Sequence, residues 1–229
     1  QMNQALNPND PQLAYSNFDI RHRIVSMMNY RTDWNHTGKY VSNFSIFFNA
    51  QSGLPYTLGF VNRTINGTAQ NIGLAYIPRL GETSMFFAPT DEGRAQAAAF
   101  DAYIDSDSYL SGRRGNFTER NGARTPWNFQ ADFRFTQDFN IVREGRKTRT
   151  ISFTYDIINL TNLLYRNWGI QYFSPNTFNS TSSVGLTPVA AGSATTYPLY
   201  TFNPDDVTNY SRDFFASRWQ MQFGLRYSF

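Results

Sequence analysis

The sequence predicts an all-β protein of long antiparallel strands, apolar on one face and polar on the other, forming the C-terminal portion of a transmembrane β-barrel. Three observations carry that prediction. The composition is strand-forming, five segments alternate with a period of two, and the connections between them run short, long, short, long.

Aromatic residues make up 17% of the 229 residues, with 21 Phe and 14 Tyr, and Asn, Thr and Ser are plentiful while Leu is scarce. Aromatic and β-branched side chains fit a pleated, half-buried surface, so this balance favours strands. No run approaches the roughly 18–20 apolar residues that a membrane-spanning helix needs, which excludes a helical membrane protein. With 0 Cys, disulfide frameworks, thiolate metal sites and cysteine nucleophiles are excluded too. The formal net charge of +3 is spread without a block of like charges, which argues against a nucleic-acid partner. The opening stretch QMNQALNPNDPQLAYSN has neither the basic region nor the apolar core of a signal peptide, so a mature, processed or fragmentary chain is expected.

The first strand, about residues 18–32, alternates least cleanly, because Val25 and Met27 stand opposite Ile24 and Met28. In the second, about residues 39–52, Phe44, Ile46 and Phe48 oppose Asn43, Ser45 and Asn49, and Phe47 intrudes on the polar side. The third, about residues 126–141, is the most regular. Trp127, Phe129, Ala131, Phe133, Phe135, Phe139 and Ile141 share a face that only Gln137 breaks. The fourth, about residues 149–161, sets Ile151, Phe153, Tyr155 and Ile157 against Ser152, Thr154 and Asp156. There the pair Ile157-Ile158 breaks phase and predicts a bulge or the end of regular pairing. The fifth, about residues 217–229, carries Trp219, Met221, Phe223, Leu225, Tyr227 and Phe229 on one side and Arg218, Gln220, Gln222, Gly224, Arg226 and Ser228 on the other.

These strands exceed the roughly 5–6 residues usual in soluble sheets and meet the roughly 9–11 that cross an outer membrane. Strands one and two are joined by WNHTGK and strands three and four by VREGRK, whereas about residues 57–125 and 166–216 form the other two connections. Tight turns on one side and long loops on the other are the pattern of an up-and-down outer-membrane barrel, the long loops being extracellular. Strand five then ends at the periplasmic rim, and Phe229 sits at an interface that favours aromatic rings. Amphipathic strands also build soluble sandwiches, so the argument rests on the five segments together. Five strands cannot close a barrel, since the smallest common ones have about eight and an open edge in hydrocarbon leaves backbone groups unpaired. The missing strands are expected upstream or on another chain.

In the first long connection, TDEGRAQAAAFDAYI predicts a short helix with Thr90 as N-cap and Asp91 and Glu92 in its first turn. The Arg-Gly stretch after it makes Arg113, Arg114, Arg120 and Arg124 candidates for contacting an anionic ligand. The competing and favoured reading is an ion-pair and turn network that anchors the loop. Asp101, Asp105 and Asp107 lack the spacing of a calcium loop, and no metal or other cofactor is expected. The second connection, rich in Ser, Thr, Asn, Pro and Tyr, reads as a large solvated loop. The two histidines, His22 in a strand and His36 in a tight turn, stand in no pattern of a triad or zinc site, and enzymatic activity is not expected.

The stretches FDIRHRIV, AQSGLPYT, YLSGRRGNFTERNGARTPWNFQADFRFTQDF, FTYDIINLTNLLYRNWG and the terminal GLRYSF resemble the C-terminal third of TonB-dependent outer-membrane receptors, and most of all the Oar-like group, whose N-terminus carries a carboxypeptidase-regulatory-like domain. The resemblance runs from about Tyr15 to Phe229, and GRRGNFTERNGARTPW is its most specific part. It implies a 22-stranded barrel with a plug, placed in the outer membrane of a Gram-negative bacterium and energised through the TonB complex for ligand uptake. The expected partners are outer-membrane lipid, the upstream strands and plug, and surface or periplasmic proteins. Trp219, Met221, Phe223, Leu225, Tyr227 and Phe229 are expected to face lipid, and the resemblance implies that they are also the signal read by the barrel-assembly machinery. A non-transporting barrel subunit or scaffold of an envelope assembly, and a soluble or surface β-rich adhesin, are the competing functional readings.

Overall fold

The computed structural model describes residues 9–10, 12–61, 72–141, 149–174, 180–186 and 198–229. In chain order its principal elements are β1 (Arg23–Asp33), β2 (Tyr40–Gln51), β3 (Pro55–Val61), β4 (Ile72–Leu74), α1 (Asp91–Ser106), α2 (Ser108–Ser111), β5 (Asn128–Ile141), β6 (Arg149–Ile158), α3 (Leu160–Leu164), β7 (Ser180–Ser182) and β8 (Gln220–Ser228). The protein is mostly β with antiparallel sheets, and among the described residues no helix is long and apolar enough to cross a membrane. Two compact units are each assembled from three separate stretches of chain.

The first unit comprises Ile20–Gly53, Pro126–Tyr172 and Arg212–Phe229. Its five-stranded sheet has the order β1-β2-β5-β6-β8, so each strand pairs with the next one in the chain that belongs to this sheet. All four pairings are antiparallel, and the sheet stays open. The strands are 11, 12, 14, 10 and 9 residues long, and their pairing runs through the residues that break the alternation, Met27 opposite Phe47 among them.

Local chemistry fixes the strand ends. In the turn from β1 to β2, His36 and Gly38 take left-handed φ values of 53° and 70°, and the Gly38 amide donates to Asp33 Oδ2 at 2.7 Å. His22 stands one residue before β1, where its ring stacks on Trp127 at 6.2 Å. The phase break at Ile157-Ile158 is where β6 stops, because Asn159 adopts a left-handed conformation with φ 57° that no strand continues through. The turn VREGRK lies outside the described residues.

The second unit comprises Gln1–Asp19, Leu54–Thr125 and Phe173–Ser211. Here β3 pairs antiparallel with β4 and parallel with β7. Helix α1 begins as its sequence predicts, with Thr90 accepting from the Gly93 amide at 3.1 Å and Asp91 and Glu92 in the first turn. It buries Ala97, Phe100 and Ile104, spaced to fall on one face. Gly93 permits the approach of the preceding chain, since a Cβ there would stand 2.0 Å from the Ala88 carbonyl oxygen.

Residues from both long connections share this unit's core. Tyr56, Leu58, Phe60, Ile77, Phe87, Phe100, Ile104 and Leu110 come from the first connection, and Val184, Leu186, Tyr200 and Phe202 from the second. Tyr200 is ringed by Phe60, Phe86, Phe87 and Phe100 at 5.2–6.2 Å between centroids, and its hydroxyl donates to the Tyr76 carbonyl at 3.0 Å. In place of a purely solvated loop, the second connection supplies the centre of an aromatic core, where its rings are desolvated against one another.

Candidate functional site

The register of the sheet sorts side chains onto two chemically distinct faces. Residues directly opposite in antiparallel strands point the same way, so the rows can be followed across all five strands. Met28, Ile46, Phe133, Ile157 and Met221 form one row, and Tyr30, Phe44, Phe135, Tyr155 and Phe223 the next. Phe153 with Leu225 and Phe139 with Ile151 and Tyr227 extend the same face. Cross-strand rings meet along these rows, as between Phe44 and Phe135 at 5.0 Å and Tyr155 and Phe223 at 4.9 Å.

Nothing in the described residues covers this surface fully. Phe223 is 66% exposed, Leu225 79% and Phe229 86%, and Trp219, Met221 and Tyr227 are exposed as well. All four of these that lie within β8 occupy the apolar rows, with Trp219 just before the strand and Phe229 just after it. An exposed apolar surface crossing several strands is the kind of patch that marks an interaction surface.

Gln137, the one polar break in its strand's apolar face, lies directly opposite Ser42. The Trp34 indole donates to the Ser42 hydroxyl at 2.7 Å, Ser42 donates to Gln137 Oε1, and Gln137 Nε2 donates to the carbonyls of Val41 at 3.2 Å and Asp138 at 3.1 Å. The intruding polar atoms thus satisfy one another, which is the condition for placing them on an apolar face.

The opposite face is hydrogen-bonded and charged. Arg134 holds Asp156 through two bonds, Nε to Oδ1 at 2.6 Å and Nη2 to Oδ2 at 3.0 Å. Ser152 donates to Asp138 at 2.6 Å and Thr150 to Asn140 at 2.7 Å. At the end of the sheet away from the β1–β2 turn, Asn159 is fully buried and acts as a knot. Its amide donates to the carbonyls of Gly169 at 2.9 Å and Ser217 at 2.8 Å, its Oδ1 accepts from Thr161 and the Asn162 amide, and its backbone donates to Asp132 at 2.8 Å. Nothing in the sequence singles out this asparagine from many others; only its combination with a strand end and a left-handed φ does.

The arginines of the Arg-Gly stretch are engaged to different degrees. Arg113 pairs with Glu119 at 3.0 Å and donates twice to the Phe117 carbonyl. Arg114 bridges Asp101 and Asp105, each at 2.8 Å, and also reaches the Pro78 carbonyl. Arg124 pairs with Asp19 and lies over the Tyr15 ring. Arg120 borders a surface concavity with Leu13, Ala14, Tyr15 and Glu119. The four are not gathered around one cavity. Asp101 and Asp105 are occupied by Arg114, and Asp107 caps α2. In the same unit burial pushes the hydroxyl pKa of Tyr56, Tyr103 and Tyr200 above the ordinary value, because a phenolate there would lose its hydration.

Comparison with protein-family models, with curated proteins and with solved structures finds no match to this chain.

Proposed function

We infer that the five-stranded sheet is a segment of an outer-membrane β-barrel, with its aromatic rows against lipid and its charged face toward a water-filled lumen. The observation that carries the reading is the largely exposed apolar face whose aromatic and aliphatic rows cross from β1 to β8, opposite a hydrogen-bonded polar face. Strand lengths match a tilted membrane crossing, and Trp34, Tyr40, Tyr227 and Phe229 near the short-turn end suit the headgroup region. Both sheet edges need partners in hydrocarbon, so further strands, from this chain or another, belong to the complete barrel. By its resemblance to TonB-dependent, Oar-like receptors the barrel takes up a ligand across the outer membrane, with a plug, the TonB complex and the barrel-assembly machinery as partners and the long connections on the cell surface.

The test is phase partitioning of the protein in its native membrane, followed by uptake with the TonB system deleted. Recovery with the outer membrane and only in detergent, with activity lost on deletion, is expected. Activity that survives deletion points to a non-transporting scaffold, and recovery of intact protein in the aqueous phase points to an adhesin and overturns the membrane reading.

A further inference from the structure

Three places where the sequence breaks its alternation, Met27, Phe47 and Ile158, come together on the polar face of the sheet. They border one open concavity of about 340 Å³ that is also lined by Asp132, Arg134 and Asp156. Met27 stands directly opposite Phe47, Phe47 opposite Asp132, and Arg134 opposite Asp156. The three apolar side chains remain 66%, 40% and 40% exposed, on a face that is mostly polar, with Val25 and Val41 its other large apolar residues. Apolar walls with a few fixed polar groups, at the lower end of the roughly 300–1,000 Å³ of ligand sites, are the composition of a small-molecule pocket.

The charged groups are held in place yet not exhausted. Arg134 spends Nε and Nη2 on Asp156, which leaves Nη1 and its two hydrogens uncommitted in a guanidinium already oriented by its partner. Asp132 spends Oδ1 on the Asn159 amide at 2.8 Å and on Gln130 at 3.3 Å and leaves Oδ2 uncommitted. A free donor edge on a cation and a free acceptor on an anion therefore stand two residues apart on one strand, about 7 Å along the chain, beside an apolar wall.

We propose that this concavity is a subsite for a zwitterionic apolar amino acid or dipeptide. The ligand's carboxylate takes the free edge of Arg134, its ammonium takes Asp132, and its apolar side chain lies against Met27, Phe47 and Ile158. Arg134 and Asp156 neutralise each other and Asp132 leaves the site one negative charge; a zwitterion gives Asp132 an ammonium and Arg134 a carboxylate without adding to that charge, which the open concavity leaves hydrated. The proposal deepens the uptake reading by naming a substrate class, and it rests on the polar face being the watered side.

The full chain in detergent, titrated calorimetrically with leucyl-phenylalanine, tests it. Saturable binding is expected, at least tenfold weaker for the N-acetylated and C-amidated dipeptide and for glycylglycine. Arg134→Lys, which retains the charge opposite Asp156 but loses the free fork edge, and Phe47→Ser are each expected to weaken binding by tenfold or more while the far-ultraviolet circular dichroism stays unchanged. No binding, or binding indifferent to the end groups and to both substitutions, overturns the proposal. Vesicle partitioning of the same sample separates the two readings: a chain that inserts but ignores the dipeptide sinks only the subsite, and one that binds the dipeptide but stays aqueous sinks only the membrane reading.

Discussion

Asn159 shows how much a single residue can hold when its conformation and its side chain act together. Its left-handed φ ends β6, and its side chain then bonds to Gly169, Ser217, Thr161 and Asn162, tying the turn after β6 to the approach to β8. Asn tolerates that conformation and offers both a donor and an acceptor, which Ala does not. Asn159→Ala is expected to cost about 3 kcal/mol, because buried carbonyls lose their partners. A denaturant midpoint unchanged from wild type would contradict it. Phe223 tests the face assignment at the same scale. If the sheet is the proposed barrel segment, Phe223→Arg destabilises the inserted protein by about 2–4 kcal/mol, the cost of a guanidinium on a lipid-facing strand near mid-depth. Gln222→Arg, its neighbour on the polar face, should be nearly neutral. Equal effects from the two substitutions in a refolding titration into vesicles would remove the distinction between the faces.

At the scale of elements, the strands follow from alternation and the helix from its cap, and each irregularity has a partner elsewhere. Gln137 breaks an apolar row and meets Ser42, whose hydroxyl is held by Trp34. Helix α1 depends on a close approach at its first turn. Gly93→Ala would drive a methyl to 2.0 Å from the Ala88 carbonyl oxygen, and because backbone cannot yield as a flexible side chain does, a loss of about 1–3 kcal/mol is expected. Alanine would otherwise favour a helix by about 1 kcal/mol over glycine, so a raised melting temperature of the α1 unit would show that the contact yields.

At the scale of the molecule, the two compact units differ in what stabilises them. The five-stranded sheet has little buried apolar mass of its own, and much of its apolar surface is open. The second unit has a closed aromatic core containing Tyr56, Tyr200 and, packed against it, Tyr103. Burial raises the pKa of these three hydroxyls, so the unfolded chain releases their protons first as pH rises past about 10. The folded state then binds more protons than the unfolded one, and stability must fall with pH, by about 1.4 kcal/mol per pH unit for each tyrosine that stays protonated. Below about pH 10 these groups leave stability flat. Near-ultraviolet circular dichroism should therefore show this unit's aromatic signal collapsing in strong alkali. A signal that persists with normal tyrosinate absorbance would place these hydroxyls in water.

What the sequence determined by itself is the part of the fold governed by neighbours along the chain. A period of two fixes which residues share a face, and Thr90 followed by Asp91 and Glu92 fixes where a helix begins. The break at Ile157-Ile158 fixes where a strand stops. Only the tertiary structure decided which strangers meet. It brought Tyr200 among the rings of a segment far upstream, gave Asn159 its carbonyls, and assembled Met27, Phe47 and Ile158 around Arg134 and Asp132. The physical reason is range: alternation and capping act over a few residues and leave a periodic trace, whereas desolvation and hydrogen-bond closure act between any surfaces that come together, and leave none in the order of the residues.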